Sequence, residues 1–145
     1  MSGAGGGRAA SKVLDAWAVV AWLRDQAPAS HKFEQRLEAA RKGAERLLLN
    51  IVNLGEALYI TAKAQGPARA ELVLEGLQRL PIEIRAAPNT LVLEAARLKG
   101  QYPISYADAF AVATAIRNSA TLVTGDPELK RFIGSGIVEV EWIGR

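Results

Sequence analysis

Hydrophobic and polar positions along the chain fall into two kinds of segment: short apolar runs and longer stretches of helical periodicity. "KVLDAW" opens with an apolar run that predicts a first buried strand ending near Asp15. "AVVAWLRDQ" predicts a helix that stops before Pro28, because the residue preceding a proline is pushed out of helical backbone. From His31 to Arg46, Phe33, Leu37, Ala40 and Ala44 recur at helical spacing while charges fill the other face. "LLLNIV" predicts a second buried strand. "NLGEALYITAKAQG" predicts a helix ended by Gly66, and "ARAELVLEGLQRL" an amphipathic helix ended by Pro81. "IEIRAA" alternates and reads as a strand. "NTLVLEAARLKG" reads as a helix with an Asn cap and a terminal Gly. "ISYADAFAVATAI", Ile104 to Ile116, is apolar on nearly every side and predicts a buried helix. "ATLVT" predicts a buried strand, "PELKRF" a short helix and "IVEVEWI" a closing alternating strand.

The predicted order is therefore β-α-α-β-α-α-β-α-α-β-α-β. Strands separated by helices imply an α/β fold with a mostly parallel sheet covered on both faces. Such sheets place their ligands beyond the carboxyl ends of the strands. The strand-to-helix junctions are thus where chemistry is expected, and acids stand there.

Four acids qualify, and each has a local explanation. Asp15 follows "VL" and suits a helix N-cap. Asn53 and Glu56 have capping-box spacing, with Asn in place of Ser or Thr. No basic residue lies at i±3 or i±4 from Glu56, so a helical ion pair does not account for it. Ser105 and Asp108 form a second box, in a helix that is otherwise apolar. Asp126 precedes Pro127, a strong helix start, and Thr124 can add a further side-chain oxygen. Each cap is worth about 1 kcal/mol. All four acids lie at helix N-termini, and Asp15, Glu56 and Asp126 also follow predicted buried strands. A common site therefore stands beside the reading of four separate caps.

Composition narrows what such a site can hold. The chain has 145 residues, no cysteine and one histidine, His31. Disulfides, iron–sulfur clusters and multi-histidine or cysteine zinc sites are excluded. Any metal must be held by oxygen, which favours Mg²⁺ or Mn²⁺. Clustered carboxylates repel one another unless protonated or bridged by a cation, and a bridging divalent ion can promote phosphodiester hydrolysis. The net charge of +3 permits a polyanionic partner without demanding one. A flexible Gly-rich tail is expected over residues 1–11 and a single domain over residues 12–145. With no apolar run of membrane-spanning length and no signal-peptide pattern, a cytoplasmic protein without membrane contact is expected.

In order, "VLDAW", "NLGEALY", "YPISYADAFAVATA" and "LVTGDPELKRF" resemble the motifs of PIN-domain ribonucleases, above all the VapC-type toxins of toxin–antitoxin pairs. The resemblance runs from Lys12 to Ile143. It implies a PIN-like three-layer α/β/α sandwich and a Mg²⁺- or Mn²⁺-dependent endoribonuclease. It also implies that Asp15, Glu56, Asp108 and Asp126 are the catalytic, metal-holding acids, supported by Thr124 and Ser105. Family members are usually dimers, and the toxins are usually inhibited by a cognate antitoxin, so an RNA substrate, an antitoxin and a homodimer are expected. One departure is that Ala16 and Trp17 follow Asp15 where many members carry Ser or Thr.

Other readings are a PIN nuclease for RNA processing or DNA ends, and a non-catalytic PIN-like module that binds RNA or protein. A receiver domain would show paired acids after the first strand, which this chain lacks. Trp17 reads as core or dimer surface rather than a base-stacking platform. Lys130, Arg131, Arg97 and Lys99 read by default as solvated surface.

Overall fold

The computed structural model describes residues 10–145. Five strands form one sheet: β1 (Ala10–Leu14), β2 (Glu45–Asn50), β3 (Ile82–Arg85), β4 (Thr121–Thr124) and β5 (Val140–Trp142). Their order across the sheet is β3-β2-β1-β4-β5, and every pairing is parallel. The helices are α1 (Ala16–Leu23), α2 (Ala29–Arg41), α3 (Ile51–Gln65), α4 (Pro67–Gln78), α5 (Asn89–Gln101) and α6 (Tyr106–Arg117). A 3₁₀ helix covers Pro127–Phe132.

Strand alternation sends side chains into two cores. Leu14, Leu47, Leu49 and Val123 pack with Val19, Phe33, Leu37 and Leu77 from α1, α2 and α4. Their neighbours Val13, Leu48 and Leu122 point the other way, toward Leu91, Ala95, Phe110 and Phe132. These two cores make the three-layer α/β/α sandwich expected from the sequence. Both faces of the central strands are buried, which explains why they read as unbroken apolar runs.

Register sets the geometry of the site. Leu14 pairs with Leu49 on one side and with Val123 on the other. The carboxyl ends of β1, β2 and β4 therefore finish side by side. Asp15, Asn50 and Thr124 stand together at that edge.

Several boundaries differ from the sequence reading. Helix α2 ends at Arg41, where Gly43 takes a left-handed backbone (φ 77°), and β2 starts at Glu45. Strand β2 stops at Asn50 rather than running to Val52, because the Asn50 side chain accepts a bond from Val52 N at 2.9 Å and starts α3. Asn53 is therefore inside the helix, and it is not the cap expected for Glu56. Helix α5 begins after Pro88 with no side-chain cap, and Gly100 sits within its last turn. Strand β1 begins at Ala10, so most of the tail expected over residues 1–11 lies outside the described residues. No helix among the described residues is long and apolar enough to cross a membrane.

Candidate metal centre

Asp15 leaves the central strand and caps α1, its Oδ1 accepting from Ala18 N at 2.8 Å. Its Oδ2 accepts a hydrogen bond from the Thr124 hydroxyl at the end of β4. The Thr124 oxygen in turn accepts from Asp126 N at 3.0 Å. One buried hydroxyl thus ties two acids together across neighbouring strands. Asp126 caps the 3₁₀ helix as expected, with Oδ1 accepting from Glu128 N at 2.9 Å.

Asp108 reaches this edge from a helix rather than a strand. Helix α6 packs against α3, α5 and the strands, and Asn53 Nδ2 donates to Ala107 O at 2.9 Å, fastening the start of α6 to α3. The expected box is only half formed. Ser105 Oγ accepts from Asp108 N at 3.1 Å, but the Asp108 carboxylate does not return the bond. Ser105 N donates instead to Glu128 Oε1 at 3.1 Å. Released from capping, Asp108 is buried, its Oδ2 accepts no hydrogen bond, and its carboxyl faces those of Asp126 and Glu128.

Asp15, Asp108 and Asp126 each present an oxygen, and these atoms lie within 4.8 Å of one another. Glu56 is not part of that trio. It is half-buried on α3 and lines a cavity of about 230 Å³ together with Asp108, Asp126, Trp17 and Arg24. Its one side-chain bond is from Tyr59 Oη at 3.4 Å. The sequence reading did not name Glu128. Its signal was its position one residue beyond Pro127, in the turn that Asp126 caps.

Burial pushes the Asp15 carboxyl up to about 7, against the lowering effect of its bonds from Thr124 and Ala18; the charges of Asp126 and Glu56 add to the rise. Burial likewise pushes Asp108 up to about 9, with Asp126, Glu128 and Asp15 contributing. Glu56 is also raised, by burial first and then by Asp126 and Glu128, while Tyr59 opposes the shift. These acids can settle by keeping protons or by sharing a cation. The donor set is oxygen only, its members are close together, and one buried oxygen accepts no hydrogen bond. That combination fits a hard divalent ion.

A parallel α/β/α sandwich with an acid trio at the carboxyl ends of its central strands defines the class. The model of the PIN domain matches residues 12–134, and the chain belongs to that family. No curated protein gives a significant sequence match. Among solved structures, the chain is similar to VapBC2 from Rickettsia felis, bound to a DNA fragment from its promoter: TM-score 0.67, 18% identity, 90% of this chain and 97% of that one. It is also similar to VapC20 from Mycobacterium tuberculosis, described as a sarcin–ricin loop cleaving toxin: TM-score 0.65, 15% identity, 83% of this chain and 94% of that one. FitAcB from Neisseria gonorrhoeae matches with TM-score 0.62 at 19% identity, over 89% of this chain and 95% of that one. At these identities the similarity is one of fold.

Proposed function

We propose that this protein is a Mg²⁺- or Mn²⁺-dependent endoribonuclease and the toxin of a toxin–antitoxin pair. The observation that carries the reading is the convergent acid trio, with Asp15 and Asp108 buried and Asp126 half-buried, in which Asp108 Oδ2 accepts no hydrogen bond. The toxin and the toxin–antitoxin complexes among the structural neighbours support the biological setting.

Asp15, Asp108 and Asp126 would hold the ion. When bound, it supplies charge neutralisation for the phosphodiester and activation of water. Thr124 positions Asp15 and Asp126 against each other, and Ser105 starts the helix that presents Asp108. Glu56 lines the wall of the same cavity with its affinity for protons raised, which supports a role in which it would orient water and accept its proton. The chain's only histidine, His31, lies exposed on α2 and takes no part. RNA is the substrate, a cognate antitoxin the inhibitor and a homodimer the working form.

The test incubates single-stranded and structured RNA with Mg²⁺ or Mn²⁺, with EDTA, and with Asp108→Asn. Cleavage should need the metal and fall at least about a hundredfold in the variant, the scale for removing one preorganised electrostatic group. Equal cleavage by Asp108→Asn sinks the catalytic assignment. Metal binding without cleavage of any RNA leaves the non-catalytic module instead.

A further inference from the structure

Beside the carboxylate cavity lies a larger one of about 500 Å³, within the roughly 300–1,000 Å³ typical of small-molecule sites. The two share Trp17 and Gln26 in their walls. Their chemistry is opposite. No acidic side chain lines the larger cavity; it carries the side chains of Lys130 and Arg145 and the indoles of Trp17 and Trp142. The Lys130 ammonium sits 5.1 Å from the centre of the Trp142 ring, a cation–π contact, and it makes no ion pair among the described residues. Trp142 Nε1 donates to Arg145 O at 3.2 Å, which holds the indole in place.

The walls are built closely. A Cβ at Gly125 would overlap the Trp17 ring, so only glycine lets that indole reach the turn before Asp126. A Cβ at Gly144 would come within 3.2 Å of both Gly125 Cα and the Trp142 ring. Two glycines therefore let both indoles approach the backbone that borders this cavity.

A polyanion suits the cationic cavity, and an aromatic wall suits a flat heterocycle. A nucleotide carries both. We propose that this cavity is a nucleotide subsite, which takes the base next to the cleaved phosphodiester against Trp142 and meets the adjoining phosphate with Lys130. The identity of the strand rests on the ribonuclease reading; the binding chemistry does not. Stacking on an aromatic tolerates any base, whereas a lysine contact adds phosphate affinity that weakens with salt.

The experiment uses the full chain in EDTA, so that no activity is needed. Nucleoside 5′-monophosphates, nucleosides and ribose 5-phosphate are titrated while the three indole N–H signals are followed by NMR. Trp22 is the internal control, because it stacks on Phe33 and does not line this cavity. Monophosphates should shift the Trp142 and Trp17 signals and spare Trp22. Ribose 5-phosphate, lacking a base, should bind about tenfold more weakly, and Trp142→Leu should weaken monophosphates by a similar factor. Lys130→Gln, at an exposed position, should weaken monophosphates several-fold and leave nucleosides unchanged.

The proposal is overturned by the absence of shifts, by equal movement of Trp22, or by ribose 5-phosphate binding as tightly as the monophosphates. Shifts that follow protein concentration alone would assign the cavity to a second copy and also overturn it. RNA cleavage without nucleotide-induced shifts removes the subsite and leaves the ribonuclease reading standing. Nucleotide binding by a protein that cuts no RNA supports the subsite and removes the ribonuclease reading.

Discussion

Replacing Asp108 with Asn should stabilise the metal-free protein at neutral and alkaline pH. In the folded state Asp108 keeps its proton up to about 9, against an ordinary value of 3.8. Asp15 keeps its proton up to about 7. The folded chain thus binds more protons than the unfolded one, and stability must fall as pH rises. The loss begins near pH 4 and levels off near 7 for Asp15 and near 9 for Asp108. One retained proton costs about 1.4 kcal/mol per pH unit, so Asp108 alone would cost about 3 kcal/mol between pH 5 and 7. Water entering the half-open cavity reduces this, and about 1–3 kcal/mol is expected. For a chain of this size that is a fall in Tm of roughly 2–12 °C. Asn cannot ionise, so Asp108→Asn should remove about half of this slope below pH 7, where Asp15 contributes as much, and most of it above pH 7, and should melt above wild type at pH 8. The assay is a series of thermal melts in EDTA from pH 5 to 8, repeated with Mn²⁺. Saturating metal at a hundred times Kd should raise wild-type stability by about 2.7 kcal/mol, increasingly so at high pH, and the variant should lose most of that gain. A flat wild-type profile in EDTA, or a variant less stable at every pH, would refute the reasoning and make Asp108 a structural cap.

Thr124→Val should destabilise by about 1–3 kcal/mol in urea unfolding, because it strands the Asp15 oxygen and Asp126 N, while Thr124→Ser should retain most of the stability. Gly125→Ala should cost about 1–3 kcal/mol by forcing the Trp17 ring aside, and Trp17→Phe in the same chain should recover part of it; a neutral single variant would show the contact to be soft. Asn53→Ala removes the bond that fastens α6 to α3, so Mn²⁺ affinity measured by calorimetry should drop about 10–100-fold; unchanged affinity would mean that α6 is held by its apolar packing alone.

Local rules carried the reading a long way. Apolar runs, helical periodicity and Pro or Gly stops are short-range properties, so the element order, the parallel sheet and the acids at helix starts were legible in the chain itself. The Asp15 and Asp126 caps belong to the same class, since each bonds a backbone N–H two or three residues ahead. Spacing could not choose between Asn50 and Asn53 as the cap of α3, because either can accept the same kind of bond. The end of β2 decided it, and Asn53 was left to grip α6 instead. Nor could spacing show that Glu128 would bond Ser105 N and leave Asp108 without that role. Asp108 and Glu128 are far apart in order, and only the docking of α6 beside the end of β4 brings their helix starts together. The sequence by itself determined which acids are available and that Asp15, Asp108 and Asp126 begin helices; Glu56, expected at a helix start, lies in the second turn of α3 because Asn50 caps that helix. Only the tertiary structure decided which oxygens converge, because their separation depends on strand register and helix packing between segments that no local pattern connects.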